Sequence, residues 1–172
     1  KEIAVTDCGI SLAGGSSMKL TTRGRYGLRA VLDLAVNNDK EAVSLSEIAE
    51  RQGISMNYLE QLIAKLKKSG IVQGIRGAQG GYVLAMPAEE ISVGDILRAL
   101  EGDLIPVDCS ELNNGDTPCI NSDTCVTKYV WKRISDSIND AVDGIKLSDL
   151  VEISRELQKE GKVEKNRMKQ TC

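Results

Sequence analysis

Residues 44–82, SLSEIAERQGISMNYLEQLIAKLKKSGIVQGIRGAQGGY, restrict the fold of this chain more than any other stretch. Ser44 and Glu47 form the S-x-x-E pattern of a capping box, which predicts a short helix carrying Leu45, Ile48 and Ala49 on one face. Gly53 breaks that helix, and Ser55 stands where a second one would be capped. In the second helix Leu59, Leu62, Ile63 and Leu66 recur at i, i+3, i+4 and i+7, the stripe of a helix buried on one side. Gly70 ends it. Residues 71–75 and 81–85 then read as two strands flanking the glycine-rich tip Arg76-Gly77-Ala78-Gln79-Gly80. Two helices joined by a glycine turn and followed by a hairpin are the order of a winged helix-turn-helix.

Such a module places its second helix in a major groove and its wing on the neighbouring backbone or minor groove. Ser55, Asn57, Tyr58, Glu60 and Gln61 lie on the exposed early turns of that helix and are able to reach base edges. Lys65, Lys67 and Lys68 suit phosphate contacts, which hold position without reading sequence. Arg76 is the candidate for groove insertion from the wing, with Gln79 beside it. Thr22, Arg23 and Arg25 open the preceding helix, where donors can grip phosphate; a capped, solvated helix start is the other reading. Glu60 repels phosphate unless it accepts from a cytosine amino group, so it reads either as a negative selector or as a solvent-facing acid. A winged helix used for protein contacts is the alternative for the whole module.

The charge distribution supports the nucleic-acid reading. Net charge is −3, yet residues 18–86 hold ten Lys/Arg against six Asp/Glu, an excess of +4. A basic segment in an acidic chain is the footprint of local phosphate binding.

Residues 1–17 read as a flexible leader or a remnant of expression, and residues 18–90 as the winged helix-turn-helix domain, opened by a helix with the stripe Leu28, Val31, Leu32 and Ala35. Residues 91–125 comprise a packing helix with Val93, Ile96, Leu97 and Leu100 on one face, then a cysteine-bearing loop. From residue 126 to 158 a long helix with Val126, Val130, Ile134, Ile138 and Val142 every fourth position, and a last helix over 147–157, are expected. Such a face needs a cover, either a second copy or the rest of the chain; a homodimer reading two half-sites is favoured. Residues 159–172 are charged and are expected to be disordered. The fold class is therefore mainly α, with a small β-hairpin wing and a long dimerisation helix. With 3% aromatic residues and no Phe, the core must be aliphatic. No run of about 18 apolar residues and no signal-peptide pattern occurs, so a cytoplasmic protein without membrane contact is expected. With no His, no phosphate-binding loop and no nucleophile beside a base, an enzyme is not expected.

Cys109, Cys119 and Cys125 stand in C-x9-C-x5-C spacing within the loop, while Cys8 and Cys172 read as incidental thiols. Three thiols in such a loop can converge on an iron–sulfur cluster or on zinc, or serve as reduced or redox-sensing groups. Spacing alone leaves these alternatives open.

MKLTTRGRYGLRAVLDLA, the helix-turn-helix segment, the wing RGAQGGYVL and the three Cys ending in CVTKYVW together resemble the IscR-like iron–sulfur cluster regulators. These are winged-helix repressors whose relatives include the cysteine-metabolism regulator CymR and the nitric-oxide sensor NsrR. The likeness runs from residue 18 to about 157. It implies a homodimeric transcription factor on a palindromic duplex-DNA operator, with a 2Fe-2S cluster whose occupancy changes the DNA targets and feeds back on cluster-assembly genes. It places the ligands on Cys109, Cys119 and Cys125, and base contacts on Glu60 with Ser55, Asn57, Tyr58, Gln61 and the wing's Arg76. One departure stands out: the family's fourth ligand is a His three residues after the last Cys, and that position is Lys128 here. A protonated Lys, with a pKa of about 10.4, offers no lone pair. Asp123, Asp116, Glu111, Asp108, an exogenous thiol or a partner-chain group remain as the fourth ligand, with Asp123 taken as the candidate. An incomplete thiolate set implies a labile cluster.

Overall fold

The computed structural model describes residues 21–37, 42–77, 80–107 and 124–170, the last ten as backbone only. Among these residues six helices and one two-stranded antiparallel sheet form: α1 (Thr22–Asn37), α2 (Leu45–Gln52), α3 (Met56–Lys68), β1 (Val72–Ile75), β2 (Gly81–Leu84), α4 (Val93–Glu101), α5 (Thr127–Asp143) and α6 (Leu147–Gln170). The chain is mainly helical and carries the expected hairpin wing.

Local chemistry sets most of these limits. The Ser44 hydroxyl accepts from the Glu47 amide, and the Glu47 carboxylate takes the Ser44 amide at 3.0 Å, so the capping box is formed. Gly53 closes α2 in the left-handed region, at φ 62°, where a Cβ would be strained. Ser55 precedes α3 with extended backbone but makes no side-chain cap bond, contrary to the sequence expectation; the residue faces solvent instead. Ser92 and Asp95 form a second capping box at α4. In the wing Val72 pairs with Leu84 and Ile75 with Gly81. Val43 bridges to Tyr82 through two backbone bonds of 2.8 and 3.0 Å and so adds a third edge to the hairpin.

One aliphatic core joins α1, α2, α3, β1, α4 and the start of α6. Leu59, Leu62, Ile63 and Leu66 of α3 are all buried in it, as the stripe predicts. Ile91, Ile96, Leu100 and Leu147 are built into the same core, so no boundary at residue 90 divides it. Each such side chain contributes roughly 1.5–3 kcal/mol on burial. In α1 the innermost residues are Ala30, Val31 and Leu34, with Leu28, Leu32 and Ala35 only half-buried. The helix is turned from the predicted stripe because Gly27 lets Leu100 press onto the backbone; a Cβ there would collide with the leucine.

The α5 stripe divides. Ile138 and Val142 pack on a second cluster of Val93, Leu97 and Leu104, whereas Val126, Val130 and Ile134 stay 77, 54 and 37% exposed. Arg98 ties α4 to α5 through Asn139, at 3.0 Å, and Asp143. The last helix runs on to Gln170, well past the expected end at Leu157, so residues 159–170 are helical rather than disordered. Glu, Lys, Arg, Gln and Met dominate that stretch; the charge suggested disorder, but these are also good helix formers.

Candidate nucleic-acid interface and cysteine site

Burying its apolar stripe leaves α3 with one exposed polar face: Asn57, Glu60, Gln61, Lys67 and Lys68, with Ser55 just before it. Arg76 is exposed where β1 ends and the wing begins, while Gln79 lies outside the described residues. Lys67 lies along the wing, its Nζ within reach of Gly74. Lys65 is turned elsewhere: its Nζ donates to the Leu100 carbonyl at 3.0 Å, capping the last turn of α4. That engagement makes it a poorer phosphate contact than its place on the helix suggests.

Tyr58 is only half-exposed. Its ring meets that of Tyr26 edge to face, with centroids 6.1 Å apart at 87°, and its hydroxyl donates to Thr22 Oγ1 at 3.5 Å. Arg25 and Arg29 lie over the Tyr26 ring at 5.0 and 5.7 Å. The start of α1 and the start of α3 thus share one surface, holding Thr22, Arg25 and Tyr58 together.

Arg23 and the α1 N-terminus are engaged differently. Glu101, the last residue of α4, accepts from the Thr21 amide at 3.0 Å, the Thr21 hydroxyl at 2.6 Å and the Gly24 amide at 2.8 Å. Its other oxygen lies 3.6 Å from Arg23, and its side chain is 6% exposed. Burial pushes the Glu101 carboxyl up, but the bonds from Thr21 and Gly24 and the nearby Arg23 hold it below the usual range. The backbone donors expected to grip a phosphate therefore already hold a carboxylate.

Behind this surface the buried Asp33 takes Arg51 through two nitrogens, at 2.7 and 3.0 Å, and Gln52 at 2.7 Å. That carboxylate raises the Arg51 pKa. Arg29 donates to the Gln52 side chain at 3.0 Å and its carbonyl at 3.2 Å, so α1 is locked against the end of α2. Tyr26, Arg29, Asp33 and Glu101 were not marked in the sequence; the i, i+4 spacing of Arg25 and Arg29 around Tyr26 was the available signal.

Of the cysteine site, Cys125 is described; Cys109, Cys119 and the candidate Asp123 lie outside the described residues, as do Asp108, Glu111 and Asp116. Cys125 sits half-buried ahead of α5, its Sγ 3.2 Å from Thr127 Oγ1. The Thr127 hydroxyl, then the Lys128 amide, lowers the thiol pKa. The thiolate is the form that ligates metals.

A helix-turn-helix with its recognition face outward and a wing beside it defines a DNA-binding regulator rather than an enzyme. Residues 20–153 match the Rrf2 family model, described as an iron-dependent transcriptional regulator, and the chain belongs to that family. A putative helix-turn-helix transcriptional regulator of Haemophilus influenzae is 46% identical over 134 residues, covering 78% of this chain and 87% of that protein. The solved structure of T. potens IscR superposes with a TM-score of 0.66 at 43% identity, covering 84% of this chain and 94% of that one. CymR, the global cysteine regulator of B. subtilis, gives 0.66 at 35% identity, covering 79% and 98%. Among the described residues no helix is long and apolar enough to cross a membrane.

Proposed function

We propose that the protein acts as a homodimer on a palindromic duplex operator, and that a labile 2Fe-2S cluster on Cys109, Cys119 and Cys125 controls its choice of site. The observation that carries the DNA reading is the α3 face, which leaves Ser55, Asn57, Glu60, Gln61 and Lys68 outward with Arg76 in the wing alongside. Tyr58, Thr22 and Arg25 extend that surface onto α1. Lys67 and Lys68 supply phosphate contacts, Glu60 rejects sites lacking a base donor, and Gln79 at the wing tip belongs to the same set. The uncovered part of the α5 stripe supports the dimer.

For the cluster the donor chemistry fits in part. The thiol pKa of Cys125 is lowered by the Thr127 hydroxyl and the Lys128 amide, and thiolates are the ligands such clusters take. When bound, the cluster supplies an electron-accepting iron centre sensitive to oxygen and iron supply. The chain holds no His, and the fourth ligand is taken to be a carboxylate, with Asp123 the candidate, or a group from outside the chain. The likeness to IscR supports feedback on cluster-assembly genes as the biological role. The absent His and the equal TM-score of CymR favour one second reading, a regulator whose cysteines form a zinc site or thiol switch, or whose sensing lies in a partner protein.

An anaerobic visible spectrum with iron and acid-labile sulfide analysis tests this, on wild type and on a Cys109/Cys119/Cys125→Ala variant. Charge-transfer bands with matching iron and sulfide, lost in the variant, are expected. A colourless protein after reconstitution overturns the cluster reading and leaves the second one. On DNA, Glu60→Ala should broaden the sites bound in competition; unchanged selectivity would remove Glu60 from the reading face.

A further inference from the structure

Tyr26 lies where three helix ends meet. Its ring receives the edge-to-face contact of Tyr58 from the first turn of α3. Its faces carry the guanidiniums of Arg25 and Arg29, and Arg25 also donates to its hydroxyl at 3.3 Å. Arg29 in turn is fixed to the carbonyl and side chain of Gln52 at the end of α2. The ring is thus tied through Arg29 to the end of α2 and carries two prospective DNA contacts, Tyr58 and Arg25.

We propose that Tyr26 is a positioning residue for DNA binding: its ring holds Tyr58 and Arg25 in the geometry that meets the duplex, without touching the duplex itself. The inference rests on the interface reading of α3 given above. An arginine is a long side chain that loses rotamer freedom on gripping a phosphate, and stacking it on a ring removes part of that loss in advance. Tyr58 gains likewise. An edge-to-face contact fixes its ring plane, and the bond to Thr22 keeps its hydroxyl at the surface. Leucine at residue 26 would fill the space but give neither a π face for the guanidiniums nor an aromatic partner for Tyr58. Phenylalanine would keep both and lose only the bond from Arg25.

The test is a double-mutant cycle on the full chain, using a duplex selected from random-sequence DNA by the wild-type protein. Tyr26→Leu and Tyr58→Ala are each expected to weaken binding about tenfold, and the double variant little more than either alone. Tyr26→Leu should also lower the slope of log affinity against log salt by about 1, because Arg25 loses its hold on a phosphate. Tyr26→Phe should restore affinity to within about twofold of wild type, because ring and stacking are retained. Multiplicative losses in the cycle, or an unchanged salt slope with Tyr26→Leu, would overturn the proposal and reduce Tyr26 to core packing. If Tyr26→Leu does not fold, the Tyr26→Phe and Tyr58→Ala arms with an Arg25→Ala cycle carry the same comparison; additivity of Arg25 and Tyr58 then overturns it. Asn57→Ala and Arg76→Ala on the same duplex separate the two levels. Loss of binding there with none at Tyr26 sinks this inference alone, and no loss anywhere sinks the interface reading with it.

Discussion

Glu101 shows how one side chain decides what a helix end can do. The first amides of any helix lack intrahelical partners and attract anions, which made the start of α1 a natural place to expect phosphate. Here a carboxylate from α4 has taken the Thr21 and Gly24 amides. The folded pKa of Glu101 lies below its ordinary value of 4.5, so its contribution to stability is full above that pH and is lost as acid protonates the folded state. Glu101→Gln should lower stability at pH 7 by about 1–2 kcal/mol and flatten the fall in Tm below pH 4.5, read by thermal melts across pH. No local sequence pattern announces this contact, since Glu101 stands 77 and 80 residues beyond its partners. Lys65 was opaque for the same reason: its spacing fits a phosphate contact, and only the packing of α4 across the end of α3 shows where the ammonium goes.

Among the elements, those whose burial is one-sided and whose ends are capped by near neighbours were legible from periodicity. The α3 stripe, both limits of α2 and the wing strands follow from spacing and from residues within a few positions. The orientation of α1 did not follow, because it is set by a small residue meeting a distant large one. Gly27 must remain without a Cβ for Leu100 to seat. Gly27→Val is therefore expected to cost about 1–3 kcal/mol in chemical denaturation. Combining it with Leu100→Ala should cost less than the two separate losses together, because the smaller partner vacates the colliding volume. Additive losses would show that α1 and α4 do not meet as described. Residues 159–170 misled for another reason: a run of Glu and Lys carries both a disorder signal and a helix signal, and composition cannot rank them.

For the molecule as a whole, the split of the α5 stripe bears most on assembly. Its later half is covered by α4, while Val126, Tyr129 and Val130 remain more than half exposed. Val130→Glu with Ile134→Glu is expected to yield a monomer of unchanged helix content by sedimentation and circular dichroism. Affinity for a two-half-site duplex should fall by tenfold or more, since joining two modules multiplies avidity by about 10²–10⁴. A dimer that survives both changes would place the interface elsewhere. At the far end of α4, Leu100 holds Lys65 of α3 through its carbonyl, and Glu101 holds the first turn of α1 through its carboxylate. These are the last residues of the helix before the chain runs on towards Cys109. The root of the cysteine segment is thus hitched to both helices of the prospective DNA grip, with no slack peptide between. Any displacement of that end of α4 would therefore act directly on α1 and α3.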